Sequence, residues 1–561
     1  MQVRLQKLKE RLEKPDHVTM LALALLFGII AGVVAFVYNS YFEFLLTLTW
    51  EWVPERLVEP MLRDAHERLR FPSPDRLGWI YTLSVSTFMG TMAGLTQRWL
   101  GSPGDLPDTV RCIHRKGSIP IRQAPSMFIC SAFSIAAGGS LGPEAALLAL
   151  CGAAVSWVAR KGLGYTGRNL RCCAIMGMTA GLAAFFGVAL GGSLFALEVL
   201  HRTGMQFYEV ATFAVACGTI CLTVFRGLTR APFGQVWAFP EGLPVVDFRH
   251  VLFGIAAGMV AACLAILFMH MYKLVFSFLS FLRLQEHHTP VASGMVGGFL
   301  IGLIGIFLPP TMFWGEFEIR TLANPGEVAL PHIWPKGGFY GLSPFLQGEY
   351  TWWLFMLIGL AKLLTICLTV LSGFRGGFIF PLFFAGVAFG KGFALMPLAA
   401  FGSFPPVLFG MTIAAGLNTA ITRTPLATTL ILSVLSGVPQ VTVPCLAAAL
   451  TSLFITYNMP FIKPQQDRTD IHWKELVMIE EDGELVILGE VPVSDREPLE
   501  DSAHGGHALA QAHQIDENGE LCRPDADPEN PAGEDIMERV GGVHQPSTEP
   551  PPLSPLGVAG F

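Results

Sequence analysis

Apolar runs follow one another through most of the chain, at 18–49, 78–100, 124–138, 172–200, 207–225, 250–283, 290–308, 351–372 and 425–457. A bilayer crossing takes roughly 20 such residues. Some runs are too long for one crossing and others too short, and many are interrupted by glycine or proline. This predicts tilted and discontinuous helices around a cavity rather than a simple bundle. Polar stretches divide them: a loop at 51–77, a basic segment from Arg111 to Arg122 and a basic loop from Arg160 to Arg171. Residues 309–350, rich in proline, glycine and aromatics, predict a structured external cap. The pattern stops at Pro464. Segments 475–479 and 484–491 read as two short strands around Glu481-Asp482-Gly483, and 494–561 has the composition of a disordered tail.

The expected architecture is therefore an all-α integral membrane protein with a short soluble C-terminal tail. Its parts are a cytoplasmic amphipathic helix at 1–17, a membrane domain at 18–464 with halves of about 18–230 and 248–464, a soluble segment at 465–493 and an acidic tail at 494–561. Residues 2–14 are basic and end before Pro15, which puts the N-terminus on the cytoplasmic membrane surface, with the C-terminus on the same side.

Composition supports the membrane assignment: 52% of residues are hydrophobic and only 14% charged, against about 25% charged in soluble domains. Charge is divided unevenly. From Gln465 onward there are 22 acids and 5 bases, net −17, which leaves 22 acids and 32 bases, net +10, in residues 1–464. A basic membrane body suits an anion, and it equally reflects topogenic loop charge. Ten of the eleven cysteines lie in or beside apolar segments and one, Cys522, in the tail; they read as packing residues. Adjacent His287 and His288 face different directions on a helix, so no metal site is expected there.

Gly138-Gly139-Ser140-Leu141-Gly142-Pro143-Glu144-Ala145, between two apolar runs, is a helix start inside the membrane. Free backbone N–H groups at such a point suit an anion. Gly101 to Asp108 forms a second Gly/Pro turn, with Asp105 and Asp108 positioned to cap a helix. Ser372-Gly373-Phe374-Arg375-Gly376-Gly377-Phe378-Ile379-Phe380-Pro381 forms a third. A fainter echo pairs Gly177-Met178-Thr179 with Gly410-Met411-Thr412, consistent with an internally repeated transport fold.

These turns together resemble the CLC family of chloride channels and chloride/proton antiporters over roughly 18–464. The family's three anion signatures correspond to 103–107, 139–143 and 377–381, in that order. The resemblance implies a homodimer of inverted-repeat subunits in lipid, each with its own pathway for chloride or a similar small anion. No cofactor, metal or nucleic acid is implied. Carried over residue by residue, the anion-binding positions are Gly104, Leu106, Gly142, Phe378 and Ile379, with Ser102 and Tyr457 as further candidates. Arg375 would raise the potential at an entrance or anchor a lipid headgroup.

The departures bear on mechanism. Leu141 stands where family transporters carry a gating glutamate, and Val199, beside Glu198, stands at the inner proton-pathway position. Neither titrates, which predicts an anion channel or uncoupled transporter. Glu144 has two readings, a displaced gate or a first-turn partner of the helix dipole. A gate at Glu144 would instead permit chloride/proton antiport. Glu198 reads as an interfacial ion pair with His201 or Arg202. An intramembrane enzyme is the reading from another class, and no nucleophile-base set or paired-histidine motif stands out to support it. Gly104 falls where the family has its coordinating serine, and Ile462 where it has its tyrosine.

Overall fold

The computed structural model describes residues 17–69, 74–200, 206–231, 236–237, 239, 245–285, 289–330, 332, 334, 344–397, 404–462, 474–481 and 484–492. The helix expected at 2–14, the histidine pair at 287–288, His201, Arg202 and the tail at 494–561 lie outside them. The elements in order are α1 (His17–Thr47), α2 (Glu59–Leu69), α3 (Pro74–Leu100), α4 (Leu106–Lys116), α5 (Ala124–Ala136), α6 (Glu144–Trp157), α7 (Gly167–Phe186), α8 (Ala189–Leu200) and α9 (Gln206–Thr229). There follow α10 (Phe248–Phe281), α11 (Pro290–Phe307), α12 (Glu318–Ala323), α13 (Trp352–Leu371), α14 (Ile379–Ala394), α15 (Pro406–Thr422), α16 (Pro425–Ser436) and α17 (Thr442–Ile455).

Among the described residues, seven helices are long and apolar enough to cross a bilayer, by length and composition, and five shorter apolar helices accompany them. The apolar run 172–200 is two helices meeting at Gly187, and 425–457 is two meeting at Gly437. The expected loop at 51–77 is largely helical instead. Wide turns from Leu48 to Val58 lead from α1 into α2, where Glu59–Arg63 and Asp64–Arg68 pair at i,i+4 on an exposed surface. Polarity had marked this stretch as a loop, but spaced opposite charges support a solvated helix as well.

Small residues let the helices pack closely, as they must where lipid offers no hydrophobic drive between them. A Cβ on Gly94 would lie 2.3 Å from the Pro290 carbonyl oxygen, and one on Gly298 would lie 2.2 Å from that of Ser86, so α3 and α11 touch through backbone. The same device joins α7 to α6 at Gly181 and α14 to α15 at Gly390. Each helix that follows one of the two central glycine turns is thus clasped by the next helix in the chain. The predicted hairpin is present: β1 (Lys474–Glu481) pairs antiparallel with β2 (Glu484–Pro492), with a bulge between Val477 and Met478.

Candidate functional site

The two central turns meet each other. The Gly142 N–H donates to the Gly377 carbonyl at 2.7 Å, and the Gly377 N–H donates to the Gly142 carbonyl at 2.8 Å. The contacts on either side repeat with an offset of 235 positions. Ser134 Oγ donates to the Cys130 carbonyl and accepts from the Arg375 N–H at 3.1 Å. Thr369 Oγ1 donates to the Thr365 carbonyl and accepts from the Ser140 N–H, also at 3.1 Å. Gly138 and Gly373, at φ 77 and 81, turn the chain after α5 and α13 in a conformation that favours glycine. Each turn is therefore fastened by a hydroxyl on the helix that precedes the other turn.

Two helices start at this crossing. Pro143 precedes α6 and Phe378 precedes α14. Among the described residues the Phe378 and Ile379 N–H groups have no acceptor, whereas the Phe380 N–H donates to Glu144 Oε1 at 3.2 Å. Glu144 is 1% exposed and its Oε2 has no hydrogen-bond partner. Its carboxylate lies against Gly142 and Gly377, where an added Cβ would be 2.2 and 2.8 Å from Oε2. A carboxyl group thus stands at the N-terminal end of α14, where dipole and free amides favour an anion.

The other expected site residues are distributed as follows. Leu141 is fully buried against Gly376. The Gly142 N–H is committed to Gly377, so this glycine shapes the crossing and does not offer a free donor. Gly104, at φ 76, precedes α4. Asp105 caps that helix, with Asp105 Oδ1 accepting from the Asp108 N–H at 2.9 Å and Asp108 pairing with Arg111 at 2.7 Å. Capping explains an acid beside this turn, and Leu106 is buried at the helix start. Ser102 Oγ accepts from Arg375 Nη2 at 2.8 Å, which links the first turn to the third and directs Arg375 to protein rather than to a headgroup.

Tyr457 is 52% exposed, with its ring beside Arg423. Ile462 is buried, and its neighbour Phe461 stands edge-on to Phe378 at 5.9 Å. Phe461 also meets Tyr272 of α10 at 5.0 Å. Tyr272, a phenol in the middle of a long apolar run, carried no local signal in the sequence. Val199 is fully buried. Glu198 accepts from the Leu426 N–H at 3.1 Å and the Ala427 N–H at 2.9 Å, so it serves as the anion at the start of α16. Glu198→Gln removes one acceptor and the charge, and about 1–2 kcal/mol of stability is expected to go with them, read as a lowered unfolding temperature of the purified protein.

Interrupted apolar helices whose N-terminal ends converge on a buried carboxylate define a membrane transport fold. Residues 89–457 match the family described as Voltage gated chloride channel, and the chain belongs to that family, whose members are ion channels and transporters rather than enzymes. It is 23% identical over 473 residues to chloride channel protein CLC-e of Arabidopsis thaliana, covering 79% of this chain and 60% of the plant protein's length. It is 25% identical over 387 residues to a chloride/fluoride channel protein of Pseudomonas syringae pv. tomato, covering 66% of this chain and 76% of the relative. Among solved structures, a slow cyanobacterial Cl−/H+ antiporter aligns with TM-score 0.63 at 17% identity, covering 80% of this chain and 97% of that one. A CLC-type fluoride/proton antiporter aligns with TM-score 0.58 at 19% identity, covering 80% and 98%. The fold is the CLC-type inverted-repeat membrane fold.

Proposed function

We propose that this protein moves chloride or a similar small anion across a membrane, along a pathway past the Gly142–Gly377 crossing, with Glu144 as its gate. The observation that carries the reading is the Glu144 carboxylate at the Phe380 amide. A tethered anion in that position competes with a free one, and protonation removes its charge and its hold on the amide. The free Phe378 and Ile379 amides supply donors without a full positive charge, which suits an ion that must leave as well as bind. On Leu141 and Val199 alone, passive conduction follows. Glu144 supplies an acid to the pathway by a different attachment, and this favours a proton-sensitive gate over an ungated channel. The working unit is a homodimer in lipid with both termini cytoplasmic, in line with the family and the positive-inside pattern.

The test is anion flux in proteoliposomes bearing the full chain, with a chloride gradient and a clamped membrane potential. Wild-type flux is expected to rise as pH falls, because protonation frees the amide. Glu144→Gln is expected to give high flux at every pH. Uphill proton movement in the wild type that vanishes in Glu144→Gln would identify antiport. A wild-type pH profile in Glu144→Gln would remove Glu144 as the gate, and absence of small-anion flux from the wild type would overturn the transport reading.

A further inference from the structure

Cations near the glycine turns are committed in different ways. Residues 309–323, at the start of the expected external cap, fold inward onto the crossing: the Phe313 N–H donates to the Gly138 carbonyl at 3.0 Å, and the buried acids Glu316 and Glu318 follow. Lys362 Nζ donates to the carbonyls of Thr311, Met312 and Phe313 and so holds this segment in place. Its charge serves the fold. Arg375 is placed otherwise.

Arg375 belongs to the third turn, just ahead of Phe378 with its free amide, and its own N–H is fixed by Ser134 Oγ at 3.1 Å. The half-buried side chain reaches across to the first turn. Its Nη2 donates to Ser102 Oγ at 2.8 Å and to Gln97 Oε1 at 3.5 Å, and Gln97 Nε2 donates in turn to the Gly373 carbonyl at 2.7 Å. Gly101 and Ser102 are exposed, so the guanidinium stands where the surface meets the turns that lead to the crossing. Both of its side-chain partners are neutral oxygens, and its buried Nε has no partner. Among the described residues no acid forms an ion pair with Arg375. Asp105, which lies within its field, is committed to capping α4. A half-buried guanidinium that meets only neutral groups stays charged and lacks a counter-charge, and this is the observation that points to an anion. Ser102 adds a second one. Its oxygen accepts from the cation, while its O–H has no acceptor among the described residues and is left to donate outward.

We infer that Arg375 and Ser102 act as one unit across the first and third turns, and that Arg375 sets the anion affinity of the pathway at this mouth. This rests on the pathway running past the Gly142–Gly377 crossing. The charge of Arg375 draws anions to the mouth, offsets the acid of Asp105 and polarises the Ser102 hydroxyl toward the passing ion. Because Nη2 is already occupied by Ser102 and Gln97, the guanidinium attracts through its field and does not close a bidentate fork on the ion. The ion is gathered but not locked, as passage requires. A neutral side chain at 375 would keep the turn and lose the attraction.

The experiment measures electrogenic chloride flux in proteoliposomes of the full chain over a range of chloride concentrations at fixed pH. Arg375→Gln is expected to raise the half-saturating chloride concentration about fivefold or more, the scale of one unit charge acting at contact through water, while flux at saturating chloride stays near wild type. Arg375→Lys keeps the charge without the fork and is expected to recover most of the affinity. Gln97→Glu gives Arg375 a carboxylate where it now meets an amide oxygen, so half-saturation is expected to rise although the guanidinium and its link to Ser102 remain. A purely structural clasp would leave half-saturation unmoved in Gln97→Glu. Added salt of a bulky impermeant anion is expected to narrow the gap between wild type and Arg375→Gln, because screening weakens a field and not a contact. Wild-type half-saturation in Arg375→Gln, or in Gln97→Glu should the first variant not fold, would overturn the inference and leave the pathway intact. A loss confined to saturating flux would overturn it as well, leaving Arg375 a clasp between turns. Absence of chloride flux from the wild type would fail the transport reading itself.

Discussion

Gly142→Ala is expected to free anion flux from its dependence on pH. The added Cβ would lie 2.2, 2.8 and 3.0 Å from Glu144 Oε2, Cδ and Oε1. All three contacts are with the end of a flexible side chain, and Gly142 is not among the residues at positive φ, so alanine is tolerated by the backbone. The carboxylate is what must move. Moving it sacrifices the contact with the Phe380 N–H, a charge-assisted hydrogen bond worth about 1.5–3 kcal/mol, or roughly 10–100-fold in gate occupancy. Flux at neutral pH should rise accordingly, measured as chloride efflux from proteoliposomes at a series of pH values. A steep wild-type pH profile in Gly142→Ala would mean that the position of the carboxylate does not control the pathway. Gly376→Ala serves as the contrast: its Cβ would lie 2.7 Å from the Gly142 carbonyl oxygen as well as against Leu141. Backbone must then give way, and stability should fall with activity.

The sequence made the broken helices legible because glycine, proline and an acid in one short run are physically specific to a helix start. It also singled out Glu144, since an acid within an apolar run needs a reason. What Glu144 touches was not legible. Phe380 is 236 positions away, and the choice between a dipole partner of its own helix and a gate on another depends on that pairing. The repeat was seen only faintly, through Gly177 and Gly410, because its strongest expression is a pair of hydroxyls. Ser134 and Thr369 do the same task with different side chains in otherwise ordinary apolar helices. Nothing local distinguishes them from the other hydroxyls that bond back to their own helix. Glu198 shows the same limit. His201 and Arg202, its neighbours in sequence, lie outside the described residues, and the Leu426 and Ala427 amides that it also holds come from a helix start in the other half. The 309–350 stretch was expected to form a cap, and its composition gave no sign that its first residues turn inward with two acids.

Lys362→Met is expected to destabilise the protein more than any other substitution considered. Lys362 is fully buried, and its Nζ donates to the carbonyls of Thr311, Met312 and Phe313 at 3.0, 3.3 and 2.8 Å while standing 4.7 Å from the centre of the Phe384 ring. One ammonium thus gathers the backbone of the inward-folded segment and rests on α14, and Glu318, whose oxygens have no hydrogen-bond partner, lies within its electrostatic field. Methionine matches its length and apolar stem but leaves three carbonyls without this donor and Glu318 without its cation. Removing one member of a buried charge pair costs about 3–5 kcal/mol, chiefly through the charge left behind. The purified variant should therefore unfold at a clearly lower temperature and accumulate poorly in membranes. The source of the loss can be tested directly. Adding Glu318→Gln to Lys362→Met removes the stranded charge, and it should recover more than half of the lost unfolding temperature even though the three carbonyls still lack Nζ. If the double variant is no more stable than the single one, the carbonyl contacts and not the charge pair hold this segment against the gate. If Lys362→Met alone unfolds like wild type, Lys362 does not anchor the segment at all.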